Sequence, residues 1–291
     1  MNNLAVALVQ TAIDPNKNKT LEMFLHLIAQ AHADGAQLVC LPELHMSPYF
    51  PITENLAHFD LAESIPGPTT EALSKIAKKL NIVIVSSIFE RRAAGLYHNT
   101  AVVIEKDGSI AGMYRKMHIP DDPGFYEKYY FTPGDLGFEP IKTSVGNLGI
   151  LVCWDQWYPE AARIMALNGA DLLIYPTAIG WHKDSAAGYE KDKDAWQIIQ
   201  RSHAIANGLP VVVINRVGFE PDPNGQLNGT QFWGHSFVCG SQGEILVEAQ
   251  EDPKILHAQL DFKQTELTRQ CWPFLRDRRI DAYQEILARY R

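Results

Sequence analysis

ADGAQLVCLPE, residues 33–43, and LNGADLLIYPT, residues 167–177, are one phrase written twice. Each runs from a helix end through Gly-Ala into an apolar run closed by proline, a residue that cannot extend a ladder of hydrogen bonds. Weaker echoes of the same transition are AKKLNIVIVSSI at 77–88 and AIANGLPVVVIN at 204–215. The chain therefore divides into two similar halves, each with helices feeding strands. The runs Ile82–Val85, Gly149–Val152 and Val211–Ile214 are apolar throughout and Gln37–Leu41 is apolar after its first residue, so they need cover on both faces. Two sheets packed together and flanked by helices meet that requirement.

Outward from the repeat, Leu21, Phe24, Leu25 and Ile28 fall at i, i+3, i+4, i+7 and predict an amphipathic helix, capped at Asn18 or Thr20 and ending at Asp34-Gly35. NTAVVIEKDGSIAG (99–112) reads as a hairpin turning at Asp107-Gly108, and FVCGSQGEILVEA (237–249) as another turning at Gln242-Gly243. No low-complexity linker separates the halves, which predicts one domain over residues 1–291. The last stretch, CWPFLRDRRIDAYQEILARYR, mixes Trp272, Phe274 and Leu275 with basic residues and then shows a helical pattern through Tyr283, Ile286 and Leu287.

Composition narrows the function. With 46% hydrophobic and 21% charged residues the chain can bury a large core. Its net charge of -8 argues against nucleic acid, whose binding draws on clustered Lys and Arg. The N-terminal MNNLAVALVQTAIDPN lacks a basic leader, its apolar part is only strand length, and no other run approaches a membrane span, so a cytoplasmic protein without a membrane partner is expected. Cys40, Cys153, Cys239 and Cys271 form no CxxC pair and read as reduced thiols, and with no HExxH or close Cys/His spacing no metal is expected.

Three segments carry chemistry. In GILVCWDQWYPEAARIM (149–165) an apolar strand stops at Cys153 and Pro159-Glu160 opens a helix. A thiol at such a turn can attack a substrate while nearby backbone N–H groups face the developing oxyanion. A buried structural thiol is the competing reading, because free cysteine is among the most buried residue types. Glu43, in LPELHMSPYF (41–50), adjoins an apolar strand where a carboxylate is costly unless paired or functional; a capping or salt-bridged acid is its bland alternative. Lys116 lies in GMYRKMHIPDDPGFYEKYYFTPGD (112–135), a loop rich in aromatics, Pro and Gly, where Arg115, Lys116, His118 and Lys128 could each be a solvated charge.

LPEL around Glu43, YRKMHIP around Lys116 and VCWDQWYPEAAR around Cys153, in this order, resemble the three motif regions of the nitrilase superfamily, and the resemblance runs from Leu4 to about Tyr283. It implies an α/β fold, a four-layer α-β-β-α sandwich of two mixed sheets flanked by helices. It also implies a Glu43-Lys116-Cys153 triad, with Glu127 as a second glutamate unless that residue merely structures its loop. On this reading Glu43 takes the Cys153 proton, and Lys116 with the backbone N–H of Trp154 stabilises the oxyanion. No cofactor or metal is needed. A catalytically silent binding module is the alternative from another class, which an intact triad disfavours.

Within the superfamily, KMHIPDDPGFYEKYYFTPGD and CWDQWYPEAARIMALNGA look most like the N-carbamoylputrescine amidase group, which implies a small-molecule substrate yielding putrescine, carbon dioxide and ammonia in polyamine synthesis. A β-ureidopropionase, N-carbamoyl amino acid hydrolase, ω-amidase or aliphatic amidase is the runner-up. Relatives acting on N-carbamoyl amino acids resemble CNDRRWPE after the cysteine, where arginine clamps a carboxylate; here Gln156 and Trp157 stand in its place. Trp154, Trp157, Tyr158 and Trp181 offer aromatic faces to an alkyl ammonium, and Glu190, in HKDSAAGYEKDKDAW (182–196), could meet its amine unless it is only a solvated helix entry. The resemblance further implies a homo-oligomer, a dimer or larger, and the apolar and basic mix of the C-terminal segment, from about 265 to 291, is expected in a subunit interface.

Overall fold

A computed structural model describes residues 3–182, 189–225 and 227–290. The first half supplies β1 (Asn3–Gln10), β2 (Leu38–Cys40), β3 (Val83–Ala93), β4 (Leu96–Ile104) and β5 (Ile110–Arg115). The second supplies β6 (Ile141–Thr143), β7 (Gly146–Ile150), β8 (Leu172–Pro176), β9 (Gly180–His182), β10 (Val211–Ile214), β11 (Val217–Glu220), β12 (Thr230–Trp233), β13 (Phe237–Cys239) and β14 (Ile245–Glu248). A final strand, β15 (Lys254–Asp261), returns to pair with β1. The helices are α1 (Lys17–Ala33), α2 (Pro68–Leu80), α3 (Pro159–Leu167), α4 (Tyr189–Asn207) and α5 (Phe262–Cys271).

The repeated phrase corresponds to a repeated topology. One sheet has the order β15-β1-β2-β3-β4-β5 and the other β6-β7-β8-β10-β13-β14, read from matching edges. Crossing either sheet in that direction, the pairings are antiparallel, parallel, parallel, antiparallel, antiparallel. Hence β1, β2 and β3 correspond to β7, β8 and β10. Three short strands, β11-β12-β9, form a small third sheet that the sequence reading did not anticipate.

Strand alternation divides the core. Leu38 and Cys40 of β2 face the sheet-to-sheet interior, which continues through Ile150, Ile174 and Val212 to α3 and α4. Val39 and Leu41 face outward onto Phe24 and Ile28 of α1 and Leu73 and Ala77 of α2. Each fully buried side chain of this size contributes about 1.5–3 kcal/mol relative to exposure. The result is helices, sheet, sheet, helices, the four layers expected.

Local details differ from expectation where hydrogen bonding outranks hydrophobic pattern. Helix α1 is capped by Asn16, whose side chain accepts from Asn18 N and Lys19 N, two residues ahead of the first expected cap. Strand β2 is shorter than Gln37–Leu41, although Gln37 N and Leu41 N still bond to Ala5 O and Val85 O. Both hairpins form with glycine at positive φ, Gly108 at 88° and Gly243 at 73°. The helical pattern near the C-terminus becomes two 3₁₀ turns, Ile280–Ala282 and Gln284–Leu287, with every residue exposed. Among the described residues no helix is long and apolar enough to cross a membrane.

Candidate active site

Strand β7 leads through Leu151 and Val152 into Cys153, which opens a 3₁₀ turn, Cys153–Trp157, directly before Pro159 starts α3. Cys153 has φ of 45°, a left-handed conformation that disfavours a residue with a Cβ by roughly 1–2 kcal/mol. Asp155 holds this turn. Its Oδ2 accepts from Val152 N (2.9 Å) and the Tyr114 hydroxyl (2.8 Å), and its Oδ1 accepts from His118 N (3.0 Å) and contacts His118 Nδ1 (2.7 Å). One carboxylate thus ties the cysteine turn to the segment on either side of Lys116.

The fold brings Glu43, Lys116, Glu127 and Cys153 together from four segments, with the three charged side chains fully buried and Cys153 5% exposed. Glu43 follows Pro42 at the end of β2, and Leu44 beyond it also adopts positive φ, 46°. Lys116 is the first residue after β5, its backbone N–H donating to Asn99 O on β4 (2.9 Å). Its ammonium donates to Glu43 Oε1 (2.8 Å) and Glu127 Oε2 (2.6 Å). Asn99 Nδ2 donates to Glu43 Oε1 (2.7 Å), and the Tyr49 hydroxyl to Glu127 Oε1 (2.6 Å). Glu43 Oε2 is buried with no hydrogen-bond partner among the described residues. That oxygen keeps its acceptor capacity unused, so it is the part of the carboxylate open to a proton.

Electrostatics assign resting charges. Burial, reinforced by Glu43 and Glu127 and opposed by Lys116, pushes the Cys153 thiol well above its ordinary range, so it rests protonated. Burial alone would lower Lys116, but Glu127 and Glu43 outweigh it and hold the ammonium charged. Burial raises Glu127 to about 7 against the opposing pull of Lys116. A neutral thiol therefore needs a base at the moment of attack.

A cavity of about 360 Å³ opens onto Cys153 and Glu127. Its apolar wall includes Trp154, Trp157, Phe125 and Trp233, and among the described residues its carboxylates, apart from Glu127, are Asp122 and Asp192. No Lys or Arg is among the described residues that line it. Of the aromatic residues expected to meet substrate, Trp154 and Trp157 line the cavity. Tyr158 instead stacks on His118 (3.7 Å, 7° between planes), and Trp181 packs on Tyr189 (3.7 Å) and Trp233 (6.0 Å) behind the lining. Glu190 sits exposed in the first turn of α4, paired to Lys193 (3.2 Å), while Asp192 of the same turn reaches the cavity. Residues 183–188 of that stretch lie outside the described residues.

Position 156 requires a correction. Gln156 does not take an arginine's place in the cavity: it is fully buried and accepts from Trp196 Nε1 (2.9 Å), while its carbonyl meets His203 Nε2 (2.8 Å). In a 3₁₀ turn residues three apart eclipse, so Trp154 and Trp157 share the cavity side and Asp155 and Gln156 turn into the protein. Sequence reading also missed Tyr49 and Asn99. Their signal is a polar group inside an apolar context, Asn99 within β4 and Tyr49 in MSPYF, but no spacing ties either to Glu43 or Glu127. Among the described residues no group of three His, Cys, Asp or Glu side chains is placed to hold a metal ion.

Residues 5–270 match a family model described as carbon-nitrogen hydrolase. The chain is 41% identical to a citrullinase of Francisella tularensis over all of both chains. It is 39% identical to the N-carbamoylputrescine amidase of Oryza sativa, over 98% of this chain and 95% of that one. A crystal structure of a carbon-nitrogen hydrolase from Helicobacter pylori G27 superposes with a TM-score of 0.97 at 54% identity, covering 99% of this chain and 100% of the other.

Proposed function

The chain belongs to the carbon-nitrogen hydrolase family, the nitrilase superfamily, and from that premise we propose that it hydrolyses N-carbamoylputrescine to putrescine, carbon dioxide and ammonia through a covalent Cys153 intermediate, a step of polyamine synthesis. The observation carrying this reading is the cavity lining: indole faces and the carboxylates of Asp122 and Asp192, with no basic side chain among its described residues. An alkyl ammonium suits such a wall, whereas the α-carboxylate of a carbamoyl amino acid would enter without a cationic partner.

In the first half-reaction Glu43 Oε2 accepts the Cys153 proton as sulfur attacks the carbamoyl carbon. Lys116 and the N–H of Trp154 receive the oxyanion, each donor contributing about 3–4 kcal/mol in comparable sites. Glu43 then returns the proton to the departing amine, leaving a carbamoyl thioester. In the second half-reaction Glu43 activates water, and the carbamic acid released breaks down to carbon dioxide and ammonia. Glu127 keeps Lys116 in place throughout.

Measuring ammonia release from N-carbamoylputrescine, citrulline, β-ureidopropionate, an ω-amide and an aliphatic nitrile tests the assignment. N-carbamoylputrescine is expected to give the highest kcat/KM. A higher value for citrulline, the substrate named for the Francisella relative, would replace this substrate and leave the triad standing.

We further propose that the C-terminal segment packs against a second copy of the chain in the cytoplasm. It leaves the apolar side chains of Ile280 (71%), Ile286 (63%) and Leu287 (90%) exposed within eight residues, a surface a second copy could cover. Light scattering should find a dimer or larger, and a Leu287→Asp chain that remained fully assembled would count against this placement.

A further inference from the structure

Arg216 belongs to the second half, at the junction of β10 and β11, yet its guanidinium is fully buried against the first-half loop that carries Glu43. Nη2 donates to the carbonyls of Glu43 (2.7 Å) and Leu44 (2.9 Å). Nη1 donates to Ser47 O (3.2 Å) and Glu220 Oε1 (2.9 Å), and the group lies 5.3 Å from the centre of the Phe232 ring. These two successive carbonyls flank Leu44, which has positive φ, 46°. The other oxygen of Glu220 accepts the backbone N–H of Tyr49, the residue whose hydroxyl holds Glu127. One ion pair therefore grips the turn behind Glu43 and the residue behind Glu127.

We infer that Arg216, with Glu220, is a positioning residue for catalysis, setting the approach of Glu43 to Cys153 and of Glu127 to Lys116. Arg216 does not line the cavity and is not a catalytic residue. Stability alone explains it poorly, because a buried ion pair is often matched by apolar residues of similar volume. Those apolar residues could not hold three carbonyls in register. A guanidinium can, since its donors are fixed in a plane, whereas a lysine ammonium at the same place is a single point that cannot reach every acceptor. This inference rests on the reading of Glu43 as the proton acceptor, and its test includes a readout independent of the substrate.

Arg216→Gln and Arg216→Lys would be compared with the unmodified full chain. Three quantities are measured: the thermal midpoint, kcat and KM for ammonia release from N-carbamoylputrescine, and the rate at which iodoacetamide alkylates Cys153 between pH 6 and 10, followed on the Cys153 peptide by mass spectrometry. A misplaced base is expected to lower kcat about a hundredfold in Arg216→Gln with KM within about threefold, and Arg216→Lys to recover roughly tenfold of that loss. Alkylation of Arg216→Gln should be about tenfold slower at pH 7 and converge on the unmodified rate near pH 10, where hydroxide replaces Glu43 as base. A folded Arg216→Gln chain with unchanged kcat and an unchanged alkylation profile overturns the inference. Equal losses in the Lys and Gln variants that follow only the folded fraction do the same. If Arg216→Gln does not fold, Arg216→Lys decides alone, and full activity with an unshifted profile in that variant refutes the role. Failure of the unmodified chain to hydrolyse the carbamoyl amine would reject the substrate, while the alkylation profile would still judge the clamp.

Discussion

The two halves of the molecule follow the same backbone course and end in different chemistry. Where β2 runs through Pro42 to Glu43, β8 runs through Pro176 to Thr177. Where β5 is followed by Lys116, the matching edge strand β14 is followed by Ala249. The cysteine turn, Cys153–Trp157, exists only in the second half, after β7. The halves meet at these strand ends: Glu43 N donates to Thr177 O (3.3 Å), and Cys153 Sγ lies 4.0 Å from Ala178 O. The candidate site is thus built across the seam, carboxylates and cation from one half and thiol from the other. A repeated scaffold supplies converging strand ends, but a buried carboxylate at one of them forces asymmetry, because Glu43 needs Lys116 and Thr177 needs no counter-charge.

The largest effects fall on the members of this asymmetric set. Cys153→Ala should fold with an unchanged melting temperature and lose on the order of 10⁶-fold in kcat, as removal of a covalent nucleophile does elsewhere. Glu43→Gln should lose about 10²–10⁴-fold, the usual worth of a general base, while Thr177→Ser at the corresponding strand end changes ammonia release by less than about threefold. If Glu43→Gln and Thr177→Ser proved equally mild, the seam would have no chemical direction and the role of Glu43 would be lost.

Lys116→Met breaks the comparison from the other side, by stranding two buried carboxylates without their shared cation. Such a variant should lose about 3–5 kcal/mol of stability, read from the denaturation midpoint, in addition to its activity. Retained stability would mean that both acids take up protons once the lysine is gone.

Acid sensitivity should trace to Glu127. Its folded-state value, near 7, lies above the ordinary carboxylate value of 4.5 because of burial. Its protonated form is therefore the one folding favours, and this contribution to stability is present at low pH and lost as pH rises through about 7. Activity runs the opposite way, since the ionised form holds Lys116: kcat/KM is expected to rise with pH through the same region. The Tyr49 hydroxyl favours the ionised form, so Tyr49→Phe should move the acid limb to higher pH and leave activity at pH 6 roughly threefold to tenfold below that of the unmodified enzyme. An unmoved limb would assign it to another group.

Most of the scaffold was legible because it repeats: the doubled phrase, the glycine turns and the buried runs each report a local rule. The residues Glu43, Lys116, Glu127 and Cys153 were legible through the resemblance and through their unusual settings beside strand ends. Tyr49, Asn99 and Arg216 were not, since their partners lie 78, 56 and 173 residues away and nothing local encodes such contacts. Gln156 was misread for a geometric reason, as adjacent positions of a 3₁₀ turn face different sides. Asp192 was passed over in favour of Glu190 because two acids in one helical turn look alike until the cavity is located.

The smallest effect tests the symmetry itself. Helices α1 and α3 end in the same way: Gly35 N bonds to His32 O and Ala36 N to Ala31 O, as Gly169 N bonds to Ala166 O and Ala170 N to Met165 O. Both glycines take positive φ, 97° and 90°, and a Cβ at either would meet no atom within 4 Å. Only the backbone conformation then opposes a side chain, which makes Gly35→Ala and Gly169→Ala a matched pair, each expected to destabilise by about 1–2 kcal/mol. For a chain of this size that is a fall of roughly 2–4 °C in melting temperature for each, with kcat unchanged. Matching losses would place the halves under one backbone rule that chemistry overrides only at the seam. A loss in one variant and none in the other would mean that the two helix ends resemble each other in sequence without doing the same work.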